Sequence, residues 1–291
     1  MNTLALLRFG LLALLLCVKP VHAAQSYDNC AGFITSLPAT ISTQGVWCMK
    51  QDLNTAITSG VAIDITTNNV VIDCNDYKLG GLAAGAGTST IGIHADSRLN
   101  ITVRHCNVRG FWMGVFLKAS SGVGGGHVVE DNRFDHNTYV AAKVEGDGST
   151  IRRNLVTDTG GTTGVSKTAE GFDTFYNVDV LDNRISGIAP TSGSNADGWG
   201  IYASFNTSGL IAGNAIGGLV HDGTGIVTAI QMGPSSSYAV LRDNSLVGDG
   251  STGSLGVTCS TSASTTKDNV TSSFATGITG CTDGGGNFNN P

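Results

Sequence analysis

Charge is scarce in this chain. Asp, Glu, Lys and Arg make up 13% of it, roughly half of what a globular domain usually carries. With 41% apolar residues, so little charge excludes a self-repelling, disordered chain. There is no basic run or stripe, which excludes a nucleic-acid-binding face. There is no C-x-x-C pair, so a structural zinc site has no ligand framework. G-x-S-x-G and P-loop motifs are missing, and there is no proper G-x-G-x-x-G, one that follows a strand and opens a helix, which removes the nucleophile-elbow and nucleotide-binding folds. After the first residues no apolar run is long enough to form a membrane-spanning helix. Proline is also rare, at 5 residues, whereas glycine reaches 41. Gly, Asn, Ser and Thr between short apolar runs predict many short strands joined by turns.

The first residues read as a targeting segment. Arg8 precedes an apolar run from Phe9 to Val18, and Val21-His22-Ala23 offers an A-x-A-like cleavage site. Residues 1–23 are therefore expected to be a signal peptide, with one domain over 24–291. Cys17 raises a lipoprotein alternative, but Leu16 stands before it where a lipid signal takes a small residue. Removing residues 1–23 takes away Arg8 and Lys19 and no acid. That leaves 14 basic against 22 acidic side chains, a net charge of −8. The expected location is secreted or periplasmic. Six cysteines remain: Cys30, Cys48, Cys74, Cys106, Cys259 and Cys281. An even number in an exported chain points to disulfides, with about 15 pairings open.

One pattern organises the rest: an apolar residue, two mostly polar residues, Asn, any residue, then an apolar residue. It reads Val129-Glu130-Asp131-Asn132-Arg133-Phe134 and Ile151-Arg152-Arg153-Asn154-Leu155-Val156. It recurs around Asn183, Asn214 and Asn244, earlier around Asn75 and Cys106, and in degraded form at Asn269. The slots are 22 to 31 residues apart. One such unit cannot bury its apolar face alone, so units must stack into a solenoid. A sharp corner needs a residue that tolerates left-handed geometry and bonds locally to backbone, and Asn does both. Repeated in every coil, its amide can also bond to the amides above and below.

The Asn slots resemble the asparagine ladder of right-handed parallel β-helix proteins, the pectate-lyase-like superfamily. The short consensus is also similar to the right-handed β-helix repeat of NosD-like periplasmic proteins. The resemblance covers roughly residues 45–275. It implies an all-β fold: a single-stranded right-handed parallel β-helix of about eight coils, one per slot. On that fold Asn132, Asn154, Asn183, Asn214 and Asn244 are corner residues rather than catalysts. Cys74 and Cys106 fall one residue out of step on adjacent coils, within disulfide reach. Cys30–Cys48 and Cys259–Cys281 would then staple the two ends, where a solenoid exposes core and open strands.

The fold is specific and the activity is not, because it hosts lyases, hydrolases, epimerases, adhesins and inert scaffolds. The resemblance does imply where a cleft runs: along the strand that follows each long loop. Inward residues of that strand align as Ile63/Ile65, Ile93/Ala95, Val115/Leu117, Ala142/Val144, Phe172/Thr174, Ile201/Ala203 and Ile230/Met232. Alternation then places Asp64, His94, Phe116 with Lys118, Lys143 with Glu145, Asp173, Tyr202 and Gln231 outward. Lys143, Asp173 and Tyr202 fall on three successive coils and are the expected catalytic group. Lys143 can pair with a uronate or serve as base, and Tyr202 can pass a proton to a leaving oxygen. His94, Lys118, Glu145, Asp197 and Trp199 are the expected substrate-binding residues.

The resulting expectation is binding, and cleavage by β-elimination, of an acidic polysaccharide. The alternative is a non-catalytic exported scaffold, on which this row is merely a solvated sheet face. Asn195-Ala196-Asp197-Gly198 resembles the N-x-D-G stretch of polygalacturonases. That family's Asp-Asp pair, Gly-His-Gly and Arg-Ile-Lys are missing, so its hydrolase mechanism is rejected. Phe134-Asp135-His136 is similar to short Asp-His motifs of pectate lyases and mannuronan epimerases, without the lyase arginine motif. His94, His105, His127, His136 and His221 occupy different faces, so each reads as a surface residue and no metal site is expected. No cofactor is implied. Two Gly-Asp-Gly-Ser-Thr segments, at 146–150 and 248–252, raise calcium, but turn chemistry accounts for them.

Overall fold

The computed structural model describes residues 27–162, 165–235 and 238–290. The expected signal peptide, 1–23, lies outside them. Three parallel sheets of 11, 10 and 10 strands wind in repeating order around one core. The chain is a right-handed parallel β-helix of about eight coils, with further short strands at both ends. In the pre-ladder sheet, strands such as Val128–Glu130, Ser149–Arg152 and Val178–Leu181 precede the Asn slot. In the post-ladder sheet, Arg133–Asp135, Leu155–Thr157 and Arg184–Ile185 follow it. The long-strand sheet contains Ile91–Asp96, Met113–Lys118, Val140–Glu145, Ala169–Phe175, Gly198–Phe205 and Val227–Met232. Among the described residues no helix is long and apolar enough to cross a membrane.

The ladder forms as a continuous hydrogen-bonded column. The Asn132 amide nitrogen donates to Asn154 Oδ1 (3.0 Å), as does its backbone N–H, and it donates again to the Val103 carbonyl. The same exchange links Asn154 to Asn183, Asn183 to Asn214, Asn214 to Asn244 and Asn244 to Asn269. It runs one rung further than the repeat suggested, to Asn287, which accepts from Asn269 at 3.0 Å. The final coil is only 18 residues long, shorter than the spacing between any two earlier slots, and that hid the slot.

The corner geometry differs from the sequence reading in one respect. Left-handed backbone sits one residue before the ladder: at His105, Asp131, Arg153, Asp182, Gly213, Asp243 and Asp268, with φ from 50° to 69°. The ladder residues from Asn132 onward are not left-handed. The preceding residue makes the turn, which frees the Asn side chain to point inward and bond along the axis. At Gly213 the nearest atom to an added Cβ is Asp182 Oδ1, the free end of a side chain that can turn aside, so glycine serves this corner through its φ of 69°.

Three disulfides connect Cys30–Cys48, Cys74–Cys106 and Cys259–Cys281, with Cα separations of 5.8, 4.7 and 5.0 Å. At Cys106 the ladder begins: its N–H donates to Asn132 Oδ1 (2.9 Å). On the other side, where an Asn would pass the column back one coil, a covalent bond to Cys74 replaces it.

The long-strand sheet has the alternation expected, with registers Ile63–Ile93–Val115–Ala142–Phe172–Ile201–Ile230 inside. It also has a bend that alternation alone does not show. The paired registers skip Gly92, Gly114, Ala141, Gly171 and Gly200. At Gly171 an added Cβ would press on the core methyl of Ile185 (3.0 Å) and on the Gly200 carbonyl (2.3 Å). Two successive residues, 171 and 172, therefore face the core. Outward positions reappear on both sides of the bend, three residues apart rather than two.

Candidate active site on the long-strand face

The outward row is assembled in register: Asp64, His94, Phe116, Lys143, Asp173, Tyr202 and Gln231 sit on consecutive strands. At its centre Lys143 Nζ donates to Asp173 Oδ2 at 2.6 Å and lies 3.9 Å from Glu145 Oε1. Asp173 is 3% exposed and also accepts from Ser204 Oγ at 2.7 Å. The Lys143 ammonium stands 4.2 Å above the Phe175 ring, a cation–π contact that strengthens as water is excluded. Glu145 accepts from the Ala119 N–H (3.0 Å), and burial raises its carboxyl above the usual range.

The row continues away from this centre as pairs. His94 Nδ1 meets Asp64 Oδ1 at 2.8 Å, and Lys118 meets Asp96 at 3.3 Å. Hydrogen bonds, that from Ser120 first, hold the Asp96 carboxyl down at about 2. Each cation of the face is thus already matched by a carboxylate. Tyr202 stacks on Trp199 (centroids 4.9 Å apart, 18° between planes). Its hydroxyl is raised by burial first, then by the charges of Asp173 and Glu170.

Asp197 takes a different part. Its Oδ1 accepts from the Ile226 N–H (2.7 Å), while Asn195 Oδ1 accepts from Thr224 N–H (2.9 Å). Asp222 accepts the N–H groups of Gly193, Ser194 and Asn195. The N-x-D-G stretch therefore stitches one loop to the next, and among the described residues no hydrogen bond or ion pair joins Asp197 to Lys143 or Asp173.

Sequence reasoning missed the residue on the other side of the bend. Glu170 pairs in register with Val140 and Trp199 and is 2% exposed. Its carboxyl shares a hydrogen bond with Tyr139, which stacks on Trp112 (5.5 Å, 22°). Its Oε2 is buried with no hydrogen-bond partner among the described residues, as is Trp112 Nε1. Burial, then the charge of Asp173, pushes the Glu170 carboxyl up to about 8, although Tyr139 and Lys143 pull the other way. At neutral pH it holds its proton. Strict alternation could not find it. The available signal was the small residue recurring at Gly92, Gly114, Ala141, Gly171 and Gly200, which marks the bend.

Two sequence features lie elsewhere. His136 meets Asp135 through Nδ1 and Asp158 through Nε2 (2.8 Å). It stands beside a cavity of about 260 Å³ lined by Leu82, Asn137, Thr138 and Gly160 among others. His127 corrects the expectation of surface histidines: it is fully buried. Its Nδ1 accepts from the Ile101 N–H (3.3 Å), and desolvation lowers its pKa to about 4. Among the described residues no three His, Cys, Asp or Glu side chains converge as metal ligands.

No family model matches the chain, and no curated protein sequence does either. Solved structures do. The Dettilon tailspike protein superposes with a TM-score of 0.56 at 16% identity, over 88% of this chain and 58% of the tailspike. The chain therefore spans little more than half the length of that protein. The A-module of the mannuronan C-5 epimerase AlgE6 from Azotobacter vinelandii gives 0.45 at 11% identity, over 90% of this chain and 91% of the module. The catalytic unit of an alpha-1,3-glucanase from Streptomyces thermodiastaticus gives 0.40 at 14%, over 88% and 61%. At these identities the tailspike likeness establishes the shared fold and nothing finer.

Proposed function

We propose that this protein binds a polysaccharide along its long-strand face and cleaves it there by acid–base chemistry. One observation carries the reading. Two carboxyls on the same strand, Glu170 and Asp173, are held in different states: Glu170 keeps its proton, while Asp173 is ion-paired to Lys143. A carboxyl kept neutral by burial beside an ion-paired one can act as the acid while its neighbour serves as base or electrostatic partner. Glu170 supplies the proton to the departing glycosidic oxygen. Asp173, steadied by Lys143 and Ser204, stabilises the positive charge that develops on the sugar or activates water. The stacked pairs Trp112–Tyr139 and Trp199–Tyr202 flank Glu170 and offer rings against which sugars pack.

This moves the reaction away from the β-elimination expected from the sequence. Elimination asks Lys143 to take a proton, but its ammonium is engaged by Asp173. It asks Tyr202 to release one, but burial raises that hydroxyl. Lys143 is better used to hold Asp173, and Tyr202 to present a ring face.

The deciding experiment incubates purified protein with acidic and neutral polysaccharides, following new reducing ends and unsaturated-uronate absorbance together. Reducing ends without unsaturation, lost in Glu170→Gln, support the reading. Unsaturated product that depends on Lys143 would restore elimination. Absence of turnover and of binding on every substrate would leave a structural scaffold.

A further inference from the structure

The sequence leads one to expect an acidic glycan, yet the long-strand face has no cation to spare. Free cations lie across the solenoid, along the ladder corner between the other two sheets. A groove of about 640 Å³ runs there, lined by Arg133, Arg153, Arg184, Leu155, Asp76 and Asp182 among others. Arg133, Leu155 and Arg184 are in register on three successive strands, so the two arginines stand about 10 Å apart along the axis. Both are exposed. Neither guanidinium has a hydrogen-bond or ion-pair partner among the described residues. Arg153, between them at the corner, is taken by Asp131 (2.7 Å) and Glu130 (2.9 Å). In a chain with a net charge of −6, two unneutralised arginines facing one groove are a departure from the pattern elsewhere.

The acids of the groove narrow the ligand further. Asp131 is neutralised by Arg153. Among the described residues Asp76 and Asp182 have no side-chain hydrogen bond or ion pair, so they repel a bare polyanion and accept hydroxyl protons. A ligand that satisfies both halves carries carboxylates for the arginine forks and hydroxyls for the aspartates. We propose that the Arg133–Arg184 groove is a second, non-catalytic binding surface for a polyuronide, with acidic groups seated on the two arginines and sugar hydroxyls on Asp76 and Asp182. The apolar floor at Leu155 lies under the sugar ring between them. From the proposed function this takes only the class of ligand, and the surface is separate from the cleavage face.

The test measures binding of polygalacturonate, dextran and inorganic polyphosphate to the immobilised protein by biolayer interferometry at two salt concentrations. Wild type should bind polygalacturonate, more weakly as salt rises, and should bind dextran and polyphosphate distinctly less. Arg133→Ala/Arg184→Ala should weaken polygalacturonate binding by about tenfold or more without shifting the melting temperature. Arg133→Lys/Arg184→Lys, which keeps the charge and loses the fork, should fall between the two. Lys267→Ala, which removes a cation outside this groove, should bind as wild type does. Absent polygalacturonate binding, undiminished binding by the alanine variant, or equally tight polyphosphate binding would overturn the proposal. Because cleavage is read separately by reducing ends, either surface can fail while the other stands.

Discussion

Buried polar groups are handled in opposite ways at two places in this solenoid. At the ladder corner every amide is spent: Asn183 donates to Asn214 and to the Ile151 carbonyl, and its oxygen accepts twice from Asn154. Beneath the long-strand face, Glu170 Oε2 and Trp112 Nε1 are buried with no partner. A satisfied buried network stabilises and specifies a structure, whereas an unsatisfied buried group costs stability. The first region is built to hold the coils in register. The second retains an unmet hydrogen-bonding demand and a carboxyl kept neutral, as sites that act on a ligand do.

The contrast is sharpened most by substitutions that separate activity from stability. Glu170→Gln should lower cleavage by about 10²–10⁴-fold, the usual worth of a positioned proton donor, with no loss in denaturant midpoint. If instead it destabilises the protein without a specific loss of turnover, the two regions are alike and Glu170 is structural. Asn183→Ala should do the reverse. It strands several buried backbone and amide partners at once and should cost about 3–5 kcal/mol, read as a lower urea midpoint with an unchanged slope.

Where the ladder stops, covalency should carry the load. Cys74→Ala/Cys106→Ala opens a link across 32 residues and should cost about 2–4 kcal/mol. A negligible change would mean that the Asn132 column suffices without it.

A further contrast is in the pH profile. The Glu170 pKa is raised from 4.5 to about 8, so its contribution to stability is fully present below the unfolded value and is lost as pH rises from about 4.5 to 8. His127 runs oppositely. Its pKa is lowered from 6.5 to about 4, so its contribution is present above 6.5 and is lost as pH falls through that window. Unfolding midpoints should therefore decline on both sides. Only the alkaline decline should flatten in Glu170→Gln, and only the acid decline in a His127 variant.

Much of this was legible in one dimension, and the reason is the solenoid itself. Each coil contacts only its neighbours, so a repeat in sequence is a repeat in space. The ladder from Asn132 to Asn269, the Cys74–Cys106 disulfide and the inward and outward rows through Lys143, Asp173 and Tyr202 all follow from aligning one unit under the next. Repetition says nothing, however, about which polar residues are left without partners. The bend at Gly171 broke the two-residue alternation and hid Glu170. From Asn132 onward the left-handed turn moved to the residue before each Asn, which leaves the amide pointing inward to bond along the axis. His127 became buried because of what packs around it. Sequence alone determined the coil, its register and the Cys74–Cys106 staple, since those depend on neighbours at a fixed spacing. The tertiary structure decided which carboxyl keeps its proton and which arginines remain unpaired, since burial and charge balance depend on everything that converges on a point.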